Sequence, residues 1–309
     1  MKPTTTHKTK TPTGVWQVKI DLSSEKKAAT TISPDRYVQE KNGVLVITID
    51  EQTNNPIIIS HKEDSGSFQE IEVIVRAGIN ATIIEDVPTN HTSKLSLYVC
   101  ENSTLHYART QKNGVYKGVT NAKVCGTLHY CEMNLGSTHN TIHAQLEENS
   151  YFTNTNILLG NKKDELHITP TVSHKKNSTS LLSAKAILNS ATAIYDGIVH
   201  IPQDAHKSVA HQRIDAVLLD KDSEMKESPQ LFIDNKDVVC SHAATSTKPS
   251  YEQLFYLQTR GVPLQQAQAL TIQAQAHKTL QNTSQEIKTL LAPILDEMIQ
   301  RFTNKQEQE

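Results

Sequence analysis

The chain has 309 residues, a formal net charge of −2 and a pI near 6.7. This balance excludes the strongly basic surface that nucleic-acid-binding proteins use. No apolar run approaches the roughly 18 residues that a membrane-spanning helix needs, so neither nucleic acid nor a membrane is an expected partner.

Residues 1–14, MKPTTTHKTKTPTG, are rich in Thr, Lys and Pro and offer little to bury, so we predict a disordered tail. From 15 to 247 the sequence has short runs of period-two alternation, such as VLVITID at 44–50 and KLSLYVC at 94–100. Asn, Gly, Asp or Pro separates the runs. Many short polar strands predict a β-sandwich or a β-solenoid, and periodicity alone leaves that choice open.

The four cysteines are Cys100, Cys125, Cys131 and Cys240. The first residues lack the apolar core of a signal peptide, and so few cysteines in a long chain favour reduced thiols over a disulfide framework. We therefore expect a cytoplasmic protein.

Cys240 and His242 form a Cys-x-His pair near the end of the predicted strands. In an extended strand this spacing places both side chains on one face. Thiolate and imidazole are the ligands that iron–sulfur centres accept. By itself the pair is weak evidence, because a free cysteine is among the most buried residue types and core packing is the alternative.

Residues 248–309 are predicted to form a helical region. Ser250 stands three residues before Gln253, which is a capping-box spacing, and Gly261 provides a residue that can end the helix. Pro263 then predicts the start of a second helix, over 263–280.

A third helix is predicted to open at Thr283, with Glu286 at the capping-box spacing. Its apolar residues follow helical periodicity, and Pro293 is expected to kink or interrupt it. The apolar stripe either packs against the other helices and the β region or forms an interface with a partner. The residues of this stripe are Ile287, Leu290, Leu291, Ile294, Leu295, Met298, Ile299 and Phe302.

Two motifs resemble the C-terminal signature of the SufB/SufD family, the paired core subunits of the SUF iron–sulfur cluster assembly machinery. That signature is a Cys-Ser-His-Gly-Ala-Thr segment followed by a Leu-Phe-Tyr-Leu…Arg-Gly-Ile/Val helix. In this chain residues 240–245 read CSHAAT and residues 254–262 read LFYLQTRGV. The resemblance extends back through 168–246. Larger family members carry an N-terminal helical domain, and this chain resembles short forms that lack it.

The resemblance implies a right-handed parallel β-helix over 15–247, followed by a C-terminal α-helical region over 248–309. It also implies a non-catalytic scaffold subunit that handles a transient iron–sulfur cluster, shared at a subunit interface near Cys240 and His242. The implied partner there is a second SufB/SufD-like subunit, identical or paralogous.

The second implied partner is SufC, the ABC-type ATPase of the SUF system, which would dock on the helical region and hydrolyse the ATP. The candidate contact residues are Tyr251, Gln253, Leu254, Phe255 and Arg260. The alternative is that the apolar residues of this helix cap the open end of the β-helix.

Some positions depart from the family pattern. Ala243 stands where the SufD-like pattern has Gly, and Thr245 to Lys248 looks SufB-like, so the choice between the two roles stays open. SufB-type subunits also use a cysteine inside the β-helix. Cys100, Cys125 and Cys131 are candidates by chemistry alone, with a buried core thiol as the alternative.

A β-helix that binds or processes carbohydrate is the rival function. Such a groove would need clustered carboxylates and exposed aromatic residues. The chain has a single Trp and no clear pair of carboxylates, which disfavours this alternative.

Overall fold

The computed structural model describes residues 8–10, 16–22, 38–53, 55–61, 68–281 and 283–304. Within them the chain winds as a parallel β-solenoid and ends in three helices. None of these helices is long and apolar enough to cross a membrane.

Ten of the described strands stack into the first sheet of the solenoid. In spatial order they are β1 (Lys8–Lys10), β2 (Trp16–Leu22), β5 (Ile57–His61), β7 (Asn80–Val87), β9 (Thr104–Gln111), β11 (Thr127–Leu135), β13 (Tyr151–Asn161), β15 (Thr179–Asn189), β18 (Val209–Leu218) and β21 (Val239–Thr247).

The other described strands form the second sheet. In spatial order they are β19 (Glu224–Glu227), β16 (Thr192–Tyr195), β14 (Glu165–Ser173), β12 (Ser137–Leu146), β10 (Val115–Val124), β8 (His91–Val99), β6 (Phe68–Val75), β4 (Val44–Ile49) and β3 (Val38–Lys41), with β17 (Ile198–Ile201) beside β14 and β20 (Gln230–Ile233) beside β17.

From β4 onward the chain passes back and forth between the two sheets, and these strands pair in parallel with one another; β3 pairs antiparallel with β4. This arrangement confirms the predicted parallel β-helix. At the N-terminal side, β1 pairs antiparallel with β2, so this part of the predicted tail has backbone partners. The rest of 1–14 lies outside the described residues.

The core of the solenoid forms because alternate side chains of each strand point inward. In the second sheet Ile47 stacks on Val73, and Val73 stacks on Leu97. All three are buried. Each such side chain contributes about 1.5–3 kcal/mol by leaving water, so the stack is held mainly by apolar burial.

Asparagines turn the chain at several corners of the solenoid. Asn102, Asn149 and Asn177 have left-handed backbone conformations, with φ of 56°, 60° and 57°. Asn tolerates this region better than most residues. The Asn177 side chain also donates a hydrogen bond of 2.6 Å to the Asn149 amide oxygen, so the corners are linked from one turn to the next.

The first two helices are α1 (Tyr251–Thr259) and α2 (Leu264–Leu280). The Ser250 hydroxyl accepts a hydrogen bond of 3.3 Å from the backbone N–H of Gln253, as its spacing predicts. Gly261 has a φ of +83° and ends α1.

The third helix is α3 (Gln285–Asn304), and its predicted start needs correction. Ser284, and not Thr283, accepts a hydrogen bond from the Ile287 N–H, because Ser284 directly precedes the first helical residue. Pro293 lies inside the continuous helix, so it does not interrupt it. Buried residues on both sides of the proline hold the helix against the sheet.

The apolar stripe of α3 packs on the outward face of the first sheet, together with part of α2. Leu291 and Leu295 are fully buried in one cluster with Met133 and Ile157 of the sheet. The stripe is therefore part of a second apolar core. α2 and α3 therefore lie along the flank of the solenoid.

His174 leads to a prediction about the pH dependence of stability. Its buried ring nitrogens lie 2.8 Å from the Ser178 and Ser180 hydroxyls. Burial lowers the pKa of His174 to about 4. The unfolded chain takes up this proton near pH 6.5, so it binds more protons than the folded state between pH 6.5 and 4, and stability falls as the pH falls through that window.

We expect His174 to account for a loss of about 2–3 kcal/mol in the free energy of unfolding between pH 7.5 and pH 4.5. Urea denaturation of the wild type and His174→Gln at both pH values measures this contribution. On acidification the free energy of unfolding should fall by about 2–3 kcal/mol less in His174→Gln than in the wild type. Equal losses in the two proteins would contradict the prediction.

Candidate functional site

The C-terminal end of the solenoid is an open edge of the first sheet. β21 pairs with β18 on one side, and no other described strand pairs with its free edge. Cys240 lies beside Ala210 and His242 beside Gln212, both of which are buried residues of β18. Cys240 and His242 therefore share the inward face of β21, as their spacing predicts.

The two side chains differ in their exposure to solvent. Cys240 is half-buried against the inner apolar core, whereas His242 is exposed. Burial raises the pKa of the Cys240 thiol, so the neutral form is favoured until a metal or a base takes the proton.

Exposed apolar residues lie in the same last turn of the solenoid. Phe232 and Ile233 at the end of β20 are 48% and 39% exposed, and Val239 at the start of β21 is 59% exposed. The Phe232 ring stacks on His200 of the previous turn, with the ring centroids 4.8 Å apart. The open end thus combines unpaired backbone groups, an apolar rim and the Cys240–His242 pair.

The other three cysteines lie away from this edge. Cys131 of β11 faces outward, fully buried beneath the helices, and burial raises the pKa of its thiol far above the ordinary value. β13, β15 and β18 separate β11 from β21, a distance of about 19 Å at the usual strand spacing.

Cys100 and Cys125 occupy equivalent corner positions in successive turns, one residue beyond the paired Val99 and Val124. Both are half-buried. Cys125 borders a polar cleft that Lys123, Glu147 and Lys175 also line. Burial raises the pKa of the Cys125 thiol.

α1 presents the candidate docking residues to solvent. None of its residues is buried: Tyr251, Gln253, Phe255 and Arg260 at its end are exposed, and Leu254 is half-buried. The rings of Tyr251 and Phe255 stack with their centroids 6.1 Å apart. A groove of about 510 Å³ separates α1 from α2, and Gln253 contributes to its wall.

A buried ionic network lies inside the solenoid, and the sequence patterns did not predict it. Arg109 of β9 lies between Glu85 of β7 and Glu132 of β11, with nitrogen–oxygen distances of 2.7 Å and 3.1 Å. All three side chains are fully buried. Tyr107 donates a hydrogen bond of 2.6 Å to Glu85, and Tyr130 donates one to Glu132.

The charges in this network stabilise one another. Burial opposes ionisation of Glu85, but the Arg109 guanidinium and hydrogen bonds from His61 and Tyr107 outweigh it and hold the pKa of Glu85 well below its ordinary value. Burial likewise opposes the charge of Arg109, but the Glu85 carboxylate raises its pKa well above the ordinary value. The sequence offered one signal, because period-two alternation places Glu85, Arg109 and Glu132 at inward positions of their strands.

These observations define a class of protein: a parallel β-solenoid with an open, thiol- and imidazole-bearing edge and a C-terminal helical region along its flank. Residues 57–275 match the family described as "SUF system FeS cluster assembly, SufBD core domain". The chain therefore belongs to the SufB/SufD family of iron–sulfur cluster assembly proteins.

Individual relatives agree with this assignment. An iron–sulfur cluster assembly SufBD family protein of Synechocystis is 29% identical over 194 residues, which is 60% of this chain and 43% of the relative. One of Staphylococcus epidermidis is 25% identical over 229 residues, which is 69% of this chain and 49% of the relative. SufD of Escherichia coli is 30% identical over 138 residues, which is 44% of this chain and 33% of that protein. The chain thus spans less than half the length of these relatives.

Proposed function

We propose that this chain is a non-catalytic scaffold subunit of a cytoplasmic SUF-type complex that builds and transfers iron–sulfur clusters. In this proposal it pairs with a second SufB/SufD-like subunit, identical or paralogous, and an ABC-type ATPase of the SufC kind supplies ATP hydrolysis. Family membership supports the general role over the carbohydrate-binding alternative.

The observation that carries the proposal is the position of Cys240 and His242 on the inward face of β21, the last strand of the first sheet, whose outer edge pairs with no other described strand. An unpaired strand edge offers backbone donors and acceptors to another chain. The exposed Phe232, Ile233 and Val239 add apolar surface to the same end, and a subunit interface would bury it.

The chemistry of the pair suits iron and sulfide as substrates. Cys240 offers a soft sulfur ligand and His242 an imidazole, which replaces thiolate at some iron–sulfur centres. Iron binding displaces the proton that burial favours on the Cys240 thiol. Because a cluster needs about four protein ligands, two from this strand leave the rest to the partner subunit.

The proposed ATPase contact is the exposed face of α1. Its exposed aromatic residues Tyr251 and Phe255 stack on each other, while Gln253 and Tyr256 line the groove between α1 and α2. α2 and α3 are anchored on the solenoid. A movement of α1 caused by the bound ATPase would therefore be transmitted to the strands that lead to Cys240 and His242.

Anaerobic reconstitution with iron and sulfide tests the cluster site. The chain is co-expressed with a SufC-like ATPase and a candidate paralogue, and cluster absorbance is compared among the wild type, Cys240→Ala and His242→Ala. We expect each variant to lower cluster yield by about tenfold without loss of the folded circular dichroism spectrum.

Ser241→Ala is the matched control, because Ser241 lies between the two residues on the same strand, where it meets His211 of β18 on the opposite face. It should retain the wild-type yield. Equal yields in all four proteins, or an equal loss in Ser241→Ala, would overturn the assignment of the site. Size-exclusion chromatography with and without the paralogue separates homodimer from heterodimer.

A further inference from the structure

Three buried side chains converge inside the N-terminal half of the solenoid. They are His61 at the end of β5, Glu85 of β7 and His91 at the start of β8. One potential ligand atom from each lies within 4.8 Å of the other two. The His61 and Glu85 side chains are 1% and 0% exposed, and His91 is 1% exposed.

His61 bridges Gln69 and Glu85. Its Nδ1 lies 2.5 Å from the amide oxygen of Gln69, and its Nε2 lies 3.0 Å from Glu85 Oε1. The Nε2 proton joins the imidazole and the carboxylate in a hydrogen bond. A divalent cation can replace that proton, because the imidazole nitrogen and the carboxylate oxygen are then both ligands.

His91 is the second observation. Both of its ring nitrogens are buried without a hydrogen-bond partner, and its ring centroid lies 4.4 Å from that of His61. Burying such groups unpaired costs free energy. His174 shows the contrast, since both nitrogens of that buried ring face hydroxyl groups.

Glu85 is held in position for the same role. Its Oε2 accepts hydrogen bonds from Arg109 and Tyr107, which fixes the carboxylate and leaves Oε1 directed at His61. Two buried carboxylates, Glu85 and Glu132, contact the one guanidinium of Arg109, so these three groups carry a net negative charge. That charge favours a cation beside Oε1.

We propose that a first-row divalent cation of the Zn²⁺ or Fe²⁺ type binds His61 Nε2, Glu85 Oε1 and a ring nitrogen of His91. Two imidazoles and one carboxylate are a ligand set that these ions prefer. Ligand atoms about 2.1 Å from one ion lie roughly 3–4 Å apart, so a small approach of the His91 ring completes the site.

This cation site is separate from the open edge of the solenoid. Five strands of the first sheet lie between β7 and β21, which places the two sites about 29 Å apart. The inference therefore does not depend on the proposed function. The bound ion would join adjacent turns of both sheets near the N-terminal end of the solenoid.

Metal titration of the full chain tests the inference. Because the site is buried, the protein is unfolded, stripped of metal with a chelator and refolded with Zn²⁺ or Co²⁺. We expect one equivalent to bind the wild type and raise its thermal midpoint. His91→Phe and His61→Phe should weaken binding at least about tenfold. The Co²⁺ spectrum should show ligand-field bands without thiolate charge transfer.

Two controls distinguish binding at this site from binding elsewhere on the chain. His174→Gln removes a different buried histidine and should bind metal like the wild type. The double variant Cys240→Ala, His242→Ala should also retain binding, so failure of the cluster site and failure of this site give different results.

The inference is overturned if the refolded wild type binds no Zn²⁺, or if His91→Phe binds as tightly as the wild type. It is also overturned if binding disappears in the Cys240, His242 double variant. If the histidine variants do not fold, X-ray absorption of the Zn²⁺-loaded wild type decides: an all-nitrogen and oxygen shell with imidazole scattering supports the site, and sulfur in that shell refutes it.

Discussion

Arg109→Leu is expected to lower the free energy of unfolding by about 3–5 kcal/mol. The substitution removes the cation that both Glu85 and Glu132 contact, and both carboxylates are fully buried. They would then have to be protonated or take up water inside the core. Leu fills much of the same volume, so the loss reports the missing charge and hydrogen bonds more than a cavity.

Urea denaturation at pH 7 measures this effect. Arg213→Leu is the matched control, because Arg213 pairs with Asp215 at 2.8 Å but has a largely exposed side chain. Arg213→Leu should lower the free energy of unfolding by no more than about 1 kcal/mol. Arg109→Lys keeps the charge without the forked geometry, so its decrease in the free energy of unfolding should lie between those of the two Arg→Leu variants. Equal losses for the two Arg→Leu variants would contradict a structural role for the network.

Phe255→Asp is expected to weaken capture of a SufC-like ATPase by about 30-fold or more, the effect of losing a central aromatic contact of about 2 kcal/mol. The reason is that Phe255 is 55% exposed and stacks on Tyr251, which is 75% exposed. Because α1 buries none of its residues, the free energy of unfolding should change by no more than about 0.5 kcal/mol.

Biolayer interferometry with the immobilised ATPase measures the affinity. Tyr98→Asp provides the control, since Tyr98 is an exposed aromatic residue of β8 in the second sheet, whereas α2 and α3 pack on the first. It should bind like the wild type. The docking proposal fails if Phe255→Asp binds normally, or if Tyr98→Asp is impaired to the same degree.

Local patterns predicted the secondary structure well. The alternating run VLVITID contains β4, and Ser250 and Gly261 mark the start and the end of α1 as their patterns predict. They could not separate a solenoid from a sandwich, because the stacking interval is irregular. Stacked hydrogen-bonded residues are 23 positions apart between β8 and β10 and 24 between β7 and β9, but 28 between β13 and β15 and 30 between β18 and β21. Corner segments of different length hide the repeat.

The buried sites depend on that stacking interval, which explains why sequence reasoning missed them. His61 and Glu85 are 24 residues apart, as are Glu85 and Arg109. No local motif connects such residues, and they meet only once the register between turns is known. The Cys240–His242 pair could be recognised in the sequence, because two residues at this spacing on one strand share a face whatever the register between turns.

The position of the helices makes stability uneven along the solenoid. A stacked repeat protein can unzip from either end, since each turn contacts only its neighbours. Here α2 and α3 hold several turns together, because their apolar cluster includes outward residues of every first-sheet strand from β7, at Ile84, to β18, at Val217. The turns that share this cluster must unfold together. Among the described strands, β21 lies just beyond them. The strand that carries Cys240 and His242 can therefore separate from β18 by local fraying while the turns under the helices stay intact.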